Sequence, residues 1–260
     1  MTFRRGLTTA ITLFFLSACG GSKDQAQAPA STDAAATTTA ANPVDSATAA
    51  NITGVVKFSG TKPKMAKIAM SADAYCNTTH TTPVVSEEVV VNANNTLKYV
   101  YVYVKSGLGD KKFPVSTTPV VFNQEGCMYT PHVAAVQVGQ EVVIKNSDGV
   151  LHNVNVRPTK NQGFNFGQPI KGMETKKVFA AAEVMIPAKC DVHPWMNGWI
   201  GVQDHPFASV TDENGNFSLS NLPPGTYEIE AWHEKYGTSV QTITVGAKET
   251  KTIEFTFKGA

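Results

Sequence analysis

Alternation of apolar and polar residues runs through most of the chain beyond residue 50 and is its clearest regular pattern. The alternating segments lie at 54–58, 97–104, 134–138, 141–144, 152–156, 217–219, 227–231 and 252–257. A period of two residues is typical of strands that bury one face. Turn-forming pairs such as Asn214-Gly215 and Pro224-Gly225 separate several of these segments. Many short strands with turns between them predict an all-β chain built from β-sandwiches.

The first 19 residues have a different pattern, which is that of a targeting segment. Residues 1–5 are basic, and residues 6–18 form an apolar run that is too short to span a membrane as a helix. The run ends in Leu-Ser-Ala-Cys19-Gly20, which resembles the lipobox of bacterial lipoproteins. The resemblance implies a signal peptide of residues 1–18 and a lipid on Cys19 that anchors the chain to the periplasmic face of the envelope, at the outer membrane of a Gram-negative bacterium. An ordinary secretory signal with a chance cysteine is the alternative.

Residues 19–50 are rich in Ala, Thr, Ser and Pro and contain almost no large apolar side chain. Such a segment cannot bury enough surface to offset the entropy lost on folding, so we expect a disordered tether. The whole chain is 42% apolar and 17% charged, with 22 Lys and Arg residues against 21 Asp and Glu residues. Because no basic stripe is visible, nucleic acid is not an expected partner.

Three metal-binding side chains lie close together in one segment: Cys190, His193 and Met196. A second histidine, His152, precedes the cysteine by 38 positions. A thiolate, two imidazoles and a weak thioether form the ligand set of a type 1 copper site. This set predicts one copper ion that changes oxidation state with little rearrangement. The alternative for His152 alone is a structural histidine in a strand.

The copper motif closely resembles that of the cupredoxins. Its Cys-x2-His-x2-Met loop, with Pro194 after the histidine, is the short-loop form seen in amicyanin. Residues 138–148 before His152 match the strand that leads into the first ligand of that family. The resemblance implies that the cysteine and the two histidines are equatorial ligands and that Met196 is the axial ligand.

Residues beside the ligands acquire roles from the same resemblance. Asn153 would stiffen the ligand loop and donate toward the cysteine sulfur, which tunes the metal. Pro194 and Trp195 would form an apolar collar around the edge of His193. That edge is the usual electron port of cupredoxins, so a redox protein partner is expected to dock there.

An electron carrier is the function that this loop favours, and an enzyme is not expected. Multicopper oxidases and copper nitrite reductases place a histidine next to the cysteine, whereas Lys189 and Asp191 flank Cys190. A binuclear centre needs two cysteines in the loop, and the loop has one. Two alternatives remain: a copper-binding or copper-delivery protein without a redox partner, and a surface interaction module in which copper is structural.

The C-terminal part carries a second resemblance. Residues 208–229, with an Asp-x-Asn-Gly turn and a Leu-Pro-Pro-Gly-x-Tyr strand start, resemble the carboxypeptidase regulatory-like (transthyretin-like) β-sandwich. Strands typical of its beginning occur before the copper region. We therefore expect a second, discontinuous regulatory-like sandwich of 52–110 plus 205–258, with a cupredoxin-like Greek-key sandwich of 114–204 inserted. Two domains in series are the alternative.

Cys76 and Cys127 have no role in the copper motif. In an oxidising compartment such cysteines are expected to form a disulfide. The alternative is a second metal site that pairs Cys76 with His80 or Cys127 with His132.

Overall fold

The computed structural model describes residues 43–259. Within these residues, sixteen strands form four sheets, and there is one short helix. The expected signal peptide, Cys19 and most of the expected tether lie outside these residues. The end of the expected tether is ordered instead, because Val44 packs against buried apolar residues and Ala50 is fully buried as the first residue of a strand. Between residues 43 and 259 no helix has the length and hydropathy needed to cross a bilayer. The elements in chain order are β1 (Ala50–Ser59), α1 (Ala74–Thr79), β2 (Tyr101–Ser106), β3 (Val120–Glu125), β4 (Met128–Thr130), β5 (Val133–Gln137), β6 (Glu141–Asn146), β7 (His152–Val156), β8 (Phe164–Gln168), β9 (Glu174–Val178), β10 (Glu183–Lys189), β11 (Asn197–Gln203), β12 (Ala208–Val210), β13 (Asn216–Leu222), β14 (Gly225–His233), β15 (Gly237–Val245) and β16 (Thr250–Lys258).

The predicted all-β fold is confirmed, and each alternating segment of the sequence contributes to a strand. One strand is shorter than the pattern predicts. The alternation begins at residue 97, but β2 begins at Tyr101 because Tyr99 has a φ of 65°. A left-handed conformation at a bulky residue cannot continue a strand.

One β-sandwich contains the sheets β13-β1-β16 and β12-β2-β14-β15. Residues from both sheets share one buried core, including Ile52, Val102, Phe217, Ile229 and Phe255. The alternation along these strands puts apolar side chains inside and polar side chains in solvent, as expected for a half-buried sheet.

Strand β1 lies between two strands from the C-terminal part of the chain. It pairs in parallel with β16, from Asn51 opposite Thr250 to Ser59 opposite Lys258, and antiparallel with β13. The chain therefore leaves this sheet after β1 and returns to it near its end. The predicted limits of a discontinuous domain, and the ability of either part to fold alone, stay predictions.

A second β-sandwich contains the sheets β5-β11-β10-β7-β8 and β4-β3-β6-β9. Its core includes Phe122, Ile144, Val154 and Ile200, all of which are fully buried. Cys190 belongs to the same core. The predicted metal ligand is thus at the edge of a well-packed interior.

A contact between the two sandwiches joins β2 of the first to β11 of the second. The ring of Tyr101 lies over the backbone of Gly201, where a Cβ atom would be only 2.5 Å from the ring. Met185 and Val133 complete this third buried cluster. Glycine at position 201 is therefore required by close packing rather than by backbone conformation.

The segment that contains α1 differs from the sequence prediction, which assigned all of 52–110 to the first sandwich. Met70 and Cys76 are buried in the second core instead. A disulfide between Cys76 and Cys127 fixes the segment to the loop between β3 and β4. The chain returns to the first core at Leu97.

Candidate metal centre

Two strands of the five-stranded sheet position the predicted ligands. His152 is the first residue of β7, and Cys190 follows directly after β10. These strands are antiparallel neighbours, with Ala188 opposite Val156. Because they run in opposite directions, the start of β7 meets the end of β10, which brings the histidine to the cysteine.

The start of β10 is anchored by the buried carboxylate of Glu183. It accepts hydrogen bonds from Thr159 Oγ1 at 2.9 Å, from the backbone amide of Lys160 at 2.9 Å and from Asn161 Nδ2 at 3.0 Å. Burial alone would raise the pKa of this carboxyl, but the hydrogen bonds outweigh burial and lower the pKa to about 2. Glu183 therefore ties the strand that leads to Cys190 to the loop after β7.

The loop from Cys190 to Met196 is closed by its own backbone. The amide of Met196 donates to the carbonyl of His193 at 2.9 Å, and the amide of Cys190 donates to the carbonyl of Met196 at 3.1 Å. The side chain of Met196 is fully buried in the same core as Cys190. The Cys-x2-His-x2-Met spacing thus forms one compact turn with all three side chains inside.

Three ligand atoms converge at this turn. His152 Nδ1 lies 3.0 Å from His193 Nδ1, and Cys190 Sγ lies 3.8 Å from His193 Nδ1. The three atoms lie within 4.8 Å of one another, and all three residues are buried. A metal ion about 2.0–2.1 Å from each nitrogen and about 2.3 Å from the sulfur holds such donors roughly 3.5–3.8 Å apart in a trigonal plane. The cluster fits a trigonal ion after a shift of a few tenths of an ångström.

The sulfur of Cys190 accepts two backbone hydrogen bonds. Its partners are the amide of Asn153 at 3.4 Å and the amide of His193 at 3.3 Å. Burial alone would raise the pKa of the thiol, but hydrogen bonding with His152 and these amides lowers the pKa below its ordinary value. The site therefore favours the thiolate, which is the form that binds metals.

Asn153 braces the ligand loop with its side chain as well. Its Oδ1 accepts from the amide of Asp191 at 3.1 Å, and its Nδ2 donates to Asn165 Oδ1 at 2.6 Å. The side chain thus links the loop to β8, and the backbone amide contacts the sulfur. Both contacts expected at Asn153 are present, with the sulfur bond made by the backbone.

The outer nitrogens of the two imidazoles face carboxylates that sequence reasoning missed. His152 Nε2 lies 2.8 Å from Asp148 Oδ2, and His193 Nε2 lies 3.4 Å from Asp73 Oδ2. Asp148 precedes His152 by four positions, a spacing that offers a weak signal. Asp73 is 120 positions from His193, and no local signal connects the two residues.

The pKa values in this cluster follow from these contacts. Burial raises the pKa of the Asp148 carboxyl, but the bond with His152 and backbone amides outweigh burial and lower the pKa below its ordinary value. Burial lowers the pKa of His152, yet Asp148 and Cys190 together raise it above its ordinary value. The pKa of His193 is lowered by burial, with Asp73 opposing the effect. The pKa of Asp73 is lowered by a hydrogen bond from the backbone of Cys76.

The expected electron port at the edge of His193 is not at the surface. The imidazole is 1% exposed, because Asp73 and Cys76 cover its outer nitrogen. Pro194 is exposed, and Trp195 is half-buried with its ring centroid 5.1 Å from that of His193. The expected collar residues therefore flank the histidine, but the edge itself is covered by the segment that contains α1.

The two remaining cysteines form a buried disulfide, so their sulfur atoms are bonded to each other. Cys76 Sγ lies 3.7 Å from His193 Nε2, and the indole of Trp195 donates to the carbonyl of Cys127 at 3.1 Å. The sequence alternative of Cys-His pairs is wrong. His80 binds the carbonyl of Gly126, and His132 binds Glu234.

Comparison with known families and proteins identifies the C-terminal part. Residues 201–258 match the family model of the carboxypeptidase regulatory-like domain. This match confirms the second resemblance found in the sequence. Comparison of the chain with curated proteins gives no match.

Solved structures similar to this chain include three copper proteins. They are a copper-containing nitrite reductase from Thermus scotoductus SA-01 (23% identity, TM-score 0.31, 37% of this chain and 24% of that chain), the reduced Cu(I) form of an amicyanin mutant (21% identity, TM-score 0.30, 39% of this chain and 98% of that chain) and a purple cupredoxin from Nitrosopumilus maritimus (22% identity, TM-score 0.27, 33% of this chain and 99% of that chain). This chain thus spans about a quarter of the length of the nitrite reductase.

Proposed function

We propose that the chain is a mononuclear type 1 copper protein that transfers electrons. The observation that carries the proposal is the convergence of His152 Nδ1, Cys190 Sγ and His193 Nδ1 in one buried cluster. Copper bound there would supply one-electron chemistry between Cu(I) and Cu(II). Met196, which is buried in the same turn, is the proposed axial ligand.

The residues around the cluster hold the donor atoms in place before a metal binds. Two backbone amides fix the sulfur of Cys190, and the imidazoles of His152 and His193 each contact a carboxylate. Burial excludes water from all three donors. Donors that are already fixed rearrange little when the charge of the ion changes, and this favours electron transfer.

The same features favour a copper ion that stays bound over one that is passed to another protein. The donors are buried, and a disulfide-anchored segment covers His193. Removal of copper by a chelator should therefore be slow, because the segment that covers His193 has to open first. Rapid loss of copper to a chelator would favour the copper-delivery alternative. The proposal includes no enzymatic reaction.

The proposed location is the periplasmic face of the outer membrane, with a lipid on Cys19 and a flexible tether that ends before Val44, which packs against the first core. The support is the lipobox-like sequence and the polar composition that follows it. Cell fractionation of the wild type, and of a Cys19→Ala variant whose residues 1–18 are replaced by an ordinary cleavable secretory signal, tests this. A variant that stays in the membrane fraction would contradict lipid anchoring through Cys19.

Optical and EPR spectra of the copper-loaded chain test the central proposal. We expect one copper ion per chain and an intense visible thiolate-to-copper band. Cys190→Ser and His152→Ala should each lose the band. His205→Ala, a change at a buried histidine that binds the carbonyl of Val104, is the matched control and should keep it. A coloured Cys190→Ser variant, or a wild type that holds only zinc, would refute the assignment.

A further inference from the structure

Two carboxylates contact the outer nitrogens of the ligand imidazoles, and the proposed function does not depend on either of them. We propose that Asp148 and Asp73 are positioning residues. Each accepts a hydrogen bond from Nε2 of one ligand histidine and so sets the orientation and donor strength of its Nδ1. This inference rests on the copper function proposed above. It implies that residues outside the Cys-x2-His-x2-Met motif help to set the reduction potential of the site.

Asp148 is held rigidly against His152. Its Oδ2 lies 2.8 Å from His152 Nε2 and also accepts from the amide of Cys127 at 2.8 Å. Its Oδ1 accepts from the amide of Gly126 at 2.8 Å. The residue is 2% exposed, so water does not compete for these bonds. Each carboxylate oxygen thus has a fixed partner, and one of the partners is the ligand imidazole.

Asp73 makes the corresponding contact on the other side of the site. Its Oδ1 caps α1 by accepting from the amide of Cys76 at 3.0 Å. Its Oδ2 lies 3.4 Å from His193 Nε2. The side chain of Asp73 is 23% exposed, and its contact is longer than that of Asp148. We therefore expect the weaker effect at Asp73.

The disulfide connects the two carboxylates. Asp148 accepts from the amide of Cys127, and Asp73 accepts from the amide of Cys76, which are the two cysteines of the bond. A single covalent bridge therefore fixes both carboxylates relative to each other. The arrangement links the cover over His193 to the loop that holds Asp148.

The direction of the effect follows from hydrogen-bond chemistry. When Nδ1 binds the metal, Nε2 carries the proton and donates it in a hydrogen bond to the carboxylate, which can only accept. The two Nδ1 atoms lie 3.0 Å apart. A hydrogen bond to an anion makes imidazole a stronger donor. Stronger donors stabilise Cu(II) more than Cu(I), so the carboxylates lower the potential.

The experiment compares Asp148→Asn and Asp73→Asn with the copper-loaded full chain. Loss of such a partner typically weakens metal binding about 10–100-fold. We expect a loss of this size in Cu(II) affinity for Asp148→Asn and a smaller loss for Asp73→Asn. Each tenfold loss specific to Cu(II) raises the potential by about 59 mV. Asp191→Asn, which removes the same charge next to Cys190 but contacts neither imidazole, is the matched control.

A second measurement uses the Cu(I)-loaded chain, which is diamagnetic. Long-range 1H–15N spectra report the hydrogen-bonded Nε2–H of each ligand histidine, and we expect one such signal at His152 and one at His193. Asp148→Asn should change the signals of His152 alone, and Asp73→Asn those of His193 alone. Because Asp73 is partly exposed, its variant tests the inference even if Asp148→Asn does not fold.

The outcomes separate the two proposals. A wild type without a thiolate-to-copper band contradicts the proposed function. A wild type with the band, together with aspartate variants whose potential and histidine signals match those of Asp191→Asn, overturns the positioning role. A loss of stability without a change in potential or histidine signals also overturns it, since a merely structural role gives that result.

Discussion

Reduction of the Cys76–Cys127 bond should lower the free energy of unfolding by about 4 kcal/mol. The bond closes a loop of 51 residues. In the chain-entropy model, a loop of that length removes about 14 cal/mol/K from the unfolded chain, which is about 4 kcal/mol at 25 °C. For a folded unit of this size, Tm should then fall by roughly 8–16 °C.

The assay is urea unfolding of the metal-free chain, with and without a phosphine reductant. Reduction keeps both sulfur atoms inside the core, so the difference reports the cross-link rather than lost packing. Mass spectrometry after alkylation counts the free thiols in each sample. The variant Cys76→Ala/Cys127→Ala is the control, and its midpoint should not respond to the reductant.

A difference below about 1 kcal/mol, with the bond shown to be intact before reduction and open after it, would refute the reasoning. Such a result would mean that the unfolded chain already holds residues 76 and 127 close together. The disulfide would then remove little entropy from the unfolded chain and stabilise the folded state by little.

Three other predictions concern the site, its supporting strand and the fold. Met196→Leu should keep copper but raise the potential by on the order of 60 mV, because the loss of a weak axial donor favours Cu(I). Met70→Leu, a change in the same core, is the control. Complete loss of metal in Met196→Leu would contradict an axial role. Glu183→Gln should cost about 3 kcal/mol at pH 7, since the folded pKa of about 2 lies below the ordinary 4.5. The stability from this depressed pKa is complete above about pH 5 and disappears as the pH falls through 4.5 toward 2. The urea midpoints of variant and wild type should therefore converge as the pH approaches 2. A difference in midpoint that does not change with pH would contradict the stabilising role of the Glu183 carboxylate. The isolated segment 201–260 should not fold cooperatively without β1, and a dispersed NMR spectrum of that fragment would show that it can.

The ligands could be predicted from the sequence because their signal is local and chemical. Cys190, His193 and Met196 lie within seven positions, and few metals fit that donor set together with a second histidine. The carboxylates could not be predicted in the same way. Asp73 is the N-cap of a six-residue helix in a segment without periodicity, and the disulfide and the burial of Met70 hold that helix over the site.

The same distinction applies to the strands. Strand β1 alternates apolar and polar residues and was recognisable, whereas β9, with the sequence Glu-Thr-Lys-Lys-Val, buries no residue fully. Its strand conformation comes from hydrogen bonding with β6 rather than from its own side chains. The late start of β2, which follows from the positive φ at Tyr99, could not be predicted either, because a positive φ at tyrosine leaves no trace in the alternation of apolar and polar residues.

The position of β1 between β13 and β16 has a consequence for biosynthesis. Strand β16 begins 200 positions after β1. At roughly 5–20 residues per second, the ribosome needs about 10–40 s to make the residues between them. Until β16 is available, the edge of β1 that pairs with it stays open beside the apolar residues Ile52, Val56 and Phe58, and such edges pair readily with other chains. We therefore expect the incomplete chain to depend on holding chaperones until its last nine-residue strand has been made.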